Sequence, residues 1–183
     1  AYGGDPEKRA RFLFEIIDGV RAATKPGFTL GVRLSPERWG LVLQEIRDVA
    51  QKLMHAGKID FIDMSLWDVT KEPEEAAFKG RTLASYFADL DRGDVRLGAA
   101  GKIMSAADAQ AVIDAGYDFP IIGRGAILHH DFAKRAAADP AFTAIATPVS
   151  EAYLAQEGLS PKFIKYMRNW QGFVEDAAPA QAS

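Results

Sequence analysis

Two hydrophobic periods alternate along this chain, one of about 3.6 residues that marks a helix face and one of about 2 that marks a strand. Asp5 is placed to cap a first helix with Pro6 at its first position, and Phe12, Leu13, Ile16, Ile17 and Val20 recur at helical spacing up to Thr24. Residues 28–34 alternate, with Phe28, Leu30, Val32 and Leu34 on one face and Thr29, Gly31 and Arg33 on the other, which predicts a strand ended by Ser35-Pro36. A helix over about 41–55 follows, with Leu43, Ile46, Val49, Ala50 and Leu53 as its apolar stripe, and Gly57 stops it. Residues 59–64 form the next strand, 66–79 an exposed polar loop, and 82–90 a further helix. The run at 95–100 is a third strand that stops at Gly101. Ser105, with Asp108 three residues on, opens a helix over 106–115 closed by Gly116. A fourth strand at 119–122 leads through Gly123-Arg124-Gly125 straight into another helical stretch.

Beyond Leu128 the strands cease. Residues 131–138 continue as helix, Asp139-Pro140 breaks it, 147–170 is helical decoration, and the end after Glu175 reads as a frayed tail. Four strands each followed by a helix, with one helix in front, imply parallel strands joined by right-handed crossovers. A small doubly wound sheet and half of an eight-stranded barrel both satisfy that order, and a full barrel takes about 250 residues against the 183 here. Arg33 favours the barrel: inside a sheet covered on both faces its charge costs several kcal/mol unless paired, roughly, whereas near a barrel's C-terminal rim it faces a ligand. The expected fold is therefore α/β, the last four βα units of a TIM (β/α)8 barrel. It forms one domain over 1–183, with strand–helix units at about 28–138 and a helical C-terminal extension at about 139–176.

The two glycine turns carry the candidate chemistry. Consecutive parallel strands end at Gly101 and Gly123, each ahead of a helix start, where bare N–H groups can approach an anion and Arg124 adds a fixed charge. Glycine after a strand is also the ordinary way to turn a corner, and the spacing leaves both readings open. A net charge of −3 argues against nucleic acid as a partner, and zero cysteines remove thiolate chemistry and disulfides. With no run of membrane-spanning length and no leader, a cytoplasmic protein is expected. His129 and His130, adjacent on a helix, point about 100° apart and make no metal pair, so with the distant His55 they read as solvated or capping. Glu74, Glu75, Asp89 and Asp91 read as solvated acids, and no metal site is expected.

Four motifs in order carry a family resemblance. The opening AYGGDPEKRARFLFEIIDGVR, the arginine strand GVRLSP, the strand DFIDMSLW, and GAAGKI followed by IIGRGAIL resemble the C-terminal half of the old yellow enzyme family, the FMN-dependent NAD(P)H:flavin oxidoreductases and ene-reductases. The match runs from Ala1 to about Leu128, with looser similarity in EGLSPKFIKYM. The resemblance implies FMN as cofactor and NAD(P)H as co-substrate. Arg33 would lie against the pyrimidine edge of the flavin, Gly101 and Gly123 would offer N–H groups to its phosphate, and Arg124 would flank phosphate and ring. Ser65 and Trp67 are placed to line the substrate side. A structural ion pair with Asp63 is the competing role for Arg33, and a solvated helix-start arginine that for Arg124.

In that family the histidine pair that binds the substrate carbonyl and the tyrosine that protonates the alkene precede the Tyr-Gly-Gly motif. No catalytic residue is therefore assigned within this chain, and the chain alone is expected to be inactive. Leu128-His129-His130-Asp131 also departs from the family's Ala-Asp-Pro-type sequence. The expected partners are the missing N-terminal half-barrel or a second copy of this chain, with a small-molecule substrate in the complete enzyme. Two other readings remain: a self-assembling half-barrel without catalysis of its own, and a small α/β domain that binds another phosphate ligand.

Overall fold

The computed structural model describes residues 2–176; the expectations for Ala1 and for the tail from residue 177 lie outside the described residues. The chain divides into two compact units, Ala1–Ile103 with Asp108–Ile122, and Met104–Ala107 with Gly123–Ser183.

The first unit opens with α1 (Pro6–Ala23), whose start is fixed by Pro6 and by the Asp5 carboxylate accepting the Lys8 amide proton at 2.9 Å. It continues through β1 (Gly31–Leu34), α2 (Leu43–His55), β2 (Phe61–Ser65), a 3-10 turn at Ala76–Phe78, α3 (Ser85–Ala88), β3 (Arg96–Ala100), α4 (Ala106–Asp114, whose first two residues fall in the second unit) and β4 (Phe119–Ile121). The sheet order is β1-β2-β3-β4 and every pairing is parallel, as the alternation of periods requires. β1 starts three residues later than its apolar run. Arg21 at the end of α1 claims the Phe28 carbonyl at 2.6 Å and the Asp60 carboxylate claims the Leu30 amide at 2.7 Å, so that stretch is bonded outside the ladder.

The two faces of the sheet differ sharply. Val32, Ile62, Met64, Leu97 and Ala99 are buried on one face in a core shared with Leu43, Leu53, Phe87, Val112 and Tyr117. Each large side chain so buried contributes about 1.5–3 kcal/mol. The opposite face carries Arg33, Phe61, Asp63, Ser65, Arg96 and Phe119, all at least partly exposed. Two glycines make that face possible. A Cβ on Gly31 would lie 2.1 Å from the Phe61 ring, and one on Gly98 2.2 Å from the Phe119 ring, so each phenylalanine lies over the glycine of the preceding strand. The two rings meet edge to face at 5.9 Å.

Three sequence expectations shift here. Phe12 and Ile16 of α1 are exposed, and only Ile17 of that helix is buried. The helix expected over 82–90 contracts to α3, with turns on either side. The loop at 66–79 is not simply exposed. Leu66 and Pro73 are buried, Leu83 donates its amide to the Lys71 carbonyl at 2.8 Å, and Lys71 is ion-paired to the buried Glu37.

The second unit holds α5 (Arg124–Leu128), α6 (Phe132–Ala138), α7 (Glu151–Gln156) and α8 (Pro161–Met167). Its core is Leu128, Val149, Leu154, Ile164, Met167, Phe173 and Val174. The helical stretch expected over 147–170 is two helices, because Gly158 turns the chain at φ +87° and Ser160 then caps a new helix at Pro161. His129 lies past the end of α5 in an extended conformation, so it and His130 do not share a helix.

Candidate functional site

Arg33 stands on β1 opposite Asp63 of β2 in the strand register, and its side chain is 66% exposed on the open face of the sheet. Its Nε lies 3.3 Å from Asp63 Oδ2 and donates to Ser65 Oγ at 2.5 Å. Both contacts use Nε, so neither occupies the terminal edge of the guanidinium. The Asp63 pair foreseen as the competing role for Arg33 is thus present, and it is compatible with a ligand on that terminal edge. Asp63 is only 15% exposed and its buried Oδ1 has no hydrogen-bond partner among the described residues. Burial raises the Asp63 pKa, and the charge of Arg33 works against that rise.

Gly101 follows the last residue of β3. A Cβ there would lie 2.7 Å from the Asp68 nitrogen and 2.9 Å from the Trp67 carbonyl carbon, so the loop after β2 crosses directly over this position. The Val69 amide donates to the Gly101 carbonyl at 3.2 Å, completing that crossing. Glycine is therefore required here for close backbone approach, whatever else the position does. Lys102 beside it, at φ +51°, pairs with Asp68 at 2.9 Å. Hydrogen bonds from the Thr70 hydroxyl and the Lys102 ammonium hold Asp68 down at about 2, against its partial burial.

Ala100 and Ile121 are register partners in the β3–β4 ladder, so the two strands end side by side within the first unit. Gly101 follows Ala100 directly, and Gly123 follows Ile121 by two residues. Gly123 and Arg124 belong to the second unit, where both are exposed. Gly123 is the N-cap of α5, its carbonyl accepting from Ala126 and Ile127. A Cβ on Gly123 would meet nothing within 4 Å. The two glycines differ in kind: packing demands the first and leaves the second open.

The acids expected to be solvated all have partners. Glu74 pairs with Lys71 and Arg38, Glu75 accepts the Leu43 amide at 2.6 Å, Asp89 pairs with Arg47 and Arg81, and Asp91 lies 3.3 Å from His55. His129, read as solvated or capping, is buried: its Nε2 accepts the Ile145 amide proton at 2.9 Å, and burial, aided by Arg135, lowers its pKa. His130, Asp131 and Glu157 bring three ligand-type atoms within 4.8 Å, but they are already engaged, His130 with Glu157 and Asp131 with Arg135.

Sequence reasoning overlooked Glu37 and Trp39. Glu37 is a buried carboxylate that accepts from the Lys71 ammonium and from the Glu74 amide, tying the loop after β1 to the loop after β2. Trp39 is 73% exposed and its ring lies 5.7 Å from that of Trp67. The clue available in the sequence was Arg38-Trp39-Gly40 in the loop just past a strand end.

A family model described as NADH:flavin oxidoreductase / NADH oxidase matches residues 1–141. The Bacillus subtilis protein named "Probable NADH-dependent flavin oxidoreductase YqiG" is 35% identical over 130 residues, covering 67% of this chain and 35% of that protein. The NADH:fumarate oxidoreductase of Klebsiella pneumoniae is 28% identical over 156 residues, covering 75% of this chain and 16% of its own length. Among solved structures, morphinone reductase in complex with tetrahydroNAD superposes with a TM-score of 0.58 and 25% identity, over 84% of this chain and 39% of that one. The four parallel strands thus resemble part of a TIM-barrel old yellow enzyme structure, and the chain spans about a third of the first of these relatives. Among the described residues no helix is long and apolar enough to cross a membrane. With most of its length matched, the chain belongs to the NADH:flavin oxidoreductase / NADH oxidase family.

Proposed function

We propose that this chain is the FMN-binding C-terminal half of an NAD(P)H-dependent flavin oxidoreductase that reduces activated alkenes, and that it works with an N-terminal half-barrel. The observation that carries the reading is the side-by-side ending of β3 and β4 at Ala100 and Ile121 within the first unit, the end of the strands at which such barrels bind their ligands. By the family resemblance, a phosphate would be met by the amides of Gly101 and Gly123 and by the charge of Arg124. Arg33, steadied through Nε by Asp63 and Ser65, would turn its terminal nitrogens to the pyrimidine edge of the ring and stabilise negative charge there. The donor set fits such a group: a phosphate at amide corners and a guanidinium at a ring edge that gains electrons. When bound, FMN would supply the hydride chemistry, accepting hydride from NAD(P)H and delivering it to the β-carbon of the alkene.

The half-barrel reading draws support from the open sheet face, where Arg33 and Arg96 are exposed and Phe61 and Phe119 partly so, and from coverage of only 39% of the morphinone reductase chain. The complementary half, or failing that a second copy, would lie over that face.

FMN titration of the 183-residue chain, read by quenching of flavin fluorescence, tests the site. Gly123→Asp places a carboxylate where a side chain meets no neighbour, so the variant keeps its circular dichroism and melting temperature. Saturable FMN binding that the variant loses is the expected result. Equal binding by the variant and the parent chain counts against the phosphate corner.

A further inference from the structure

The loops after β1 and β2 hold an arrangement that the flavin site does not use. Arg38, Trp39 and Gly40 run consecutively at φ +75°, +51° and +80°, and Trp67 sits at φ +65°. Side chains with a Cβ rarely adopt this left-handed region, and clusters of such residues persist only where surrounding structure enforces them. The enforcement is visible. Buried Glu37 anchors the first loop to Lys71 and the Glu74 amide, the Leu41 amide closes the turn onto the Arg38 carbonyl at 2.9 Å, and the Trp67–Asp68 backbone is pinned against Gly101. The result of this bracing is to hold two indoles in solvent. Trp39 is 73% exposed and Trp67 42%, with centroids 5.7 Å apart and planes tilted by 54°. The Arg38 guanidinium lies 4.0 Å over the Trp67 ring, and its counter-charge Glu74 is 3.4 Å away and itself exposed. These groups lie at the C-terminal ends of parallel strands, the end at which such folds bind their ligands.

We propose that Trp39, Trp67 and Arg38 form a nucleotide platform, on which a flat heteroaromatic base stacks against Trp39 while Arg38 meets its phosphate. Large rigid indole faces cost little ordering entropy on binding, and stacking is tolerant of which base is stacked. A guanidinium that caps the second indole supplies a cation within reach of the same ligand. The choice of ligand rests on the reading of the chain as part of an NAD(P)H-dependent oxidoreductase: the platform would receive the mononucleotide half of the dinucleotide that ends in adenine or the half that ends in nicotinamide. The platform itself belongs wholly to the first unit and requires no bound flavin.

The chain has three tryptophans, so a 15N-labelled sample gives three indole N–H signals, assignable by single Trp→Phe changes. Trp170, 49% exposed on the second unit, is the internal control for indiscriminate stacking. AMP and nicotinamide mononucleotide are titrated separately, with benzyl alcohol as a neutral aromatic. The expected result is saturable movement of the Trp39 and Trp67 signals with one of the mononucleotides and none at Trp170. Trp39→Gly, which suits the backbone at that position, should weaken the movement at Trp67 by roughly tenfold, the size of one stacked base, and Arg38→Ala should weaken mononucleotide binding at least fivefold. Absence of movement, equal movement at Trp170, or a response to benzyl alcohol as strong as to the mononucleotides would overturn the platform. The Gly123→Asp variant separates the two readings: it should keep the AMP or nicotinamide mononucleotide response whether or not the flavin site stands.

Discussion

Asp118 does for β3 what Asp60 does for β1. Each carboxylate accepts the amide proton of a leucine, Leu30 just ahead of β1 for Asp60 and Leu97 within β3 for Asp118, at 2.7 Å in both cases. Each aspartate returns its own amide to that leucine's carbonyl at 2.8 Å. The following residues repeat as well: Leu30-Gly31 faces Asp60-Phe61 as Leu97-Gly98 faces Asp118-Phe119, with the phenylalanine ring over the glycine each time. Even the arginine partners recur, Arg21 on Asp60 and Arg92 on Asp118. Two successive βαβ units are thus built to one plan, and they diverge where chemistry is expected: Arg33 of the first corresponds to Ala100 of the second.

The equivalence is geometric and its energetics are unequal. Asp118 is 22% exposed and gathers Arg92 and Arg96, while Asp60 is 51% exposed. Asp118→Ala is expected to destabilise the chain by about 1.5–3 kcal/mol, as loss of charged hydrogen bonds in partly buried surroundings does. Asp60→Ala should cost no more than about 1 kcal/mol, because water competes for its partners. Urea unfolding of the two variants checks the order, and an equal or reversed ranking would refute it.

The Glu37–Lys71 pair predicts a larger loss. Burial opposes the charge on Lys71, but Glu37 and Glu74 outweigh it and raise the lysine pKa. Lys71→Met should cost about 3–5 kcal/mol, since it strands a buried carboxylate. Lys71→Met combined with Glu37→Gln should recover part of that loss, because no uncompensated charge then remains. A double variant as unstable as the single one would show that the bond to the Glu74 amide, rather than the ion pair, holds the loops together.

Much of this was legible in the chain itself, for physical reasons. The strand count followed from periods of hydrophobicity, which are local, and the Asp5-Pro6 helix start follows an equally local rule; the break at Gly158 and Ser160-Pro161 obeys such rules too, but the reading of 147–170 passed over it. The Arg33–Asp63 contact was foreseeable because parallel strands in register put neighbouring charges together. What the sequence hid depends on residues far apart along the chain. The fit of Phe61 over Gly31 needs the register, and the burial of His129 needs Ile145, Phe142 and Tyr153 around it. Glu37-Arg38-Trp39-Gly40 looks like an ordinary polar turn until a lysine 34 residues on is seen to neutralise its acid.

Asp63 supplies a prediction with a definite sign in pH. Its folded pKa is raised by burial, whereas the unfolded chain titrates near 3.9. The folded state therefore holds the proton more tightly, so the stability Asp63 contributes is fully present below the unfolded pKa and is lost as pH rises through the folded one. Asp63→Asn removes the charge and keeps the shape. The variant should be more stable than the parent chain at neutral pH, with the gap closing as the buffer is taken down toward pH 4, roughly the carboxylate range. Arg33 loses a charged partner in the exchange, but at 66% exposure water replaces most of that contact. Melting temperatures of both proteins from pH 7 downward measure the gap. A variant less stable than the parent at neutral pH would mean that Arg33 stabilises the carboxylate more than burial penalises it, and that the pair is a structural bond first.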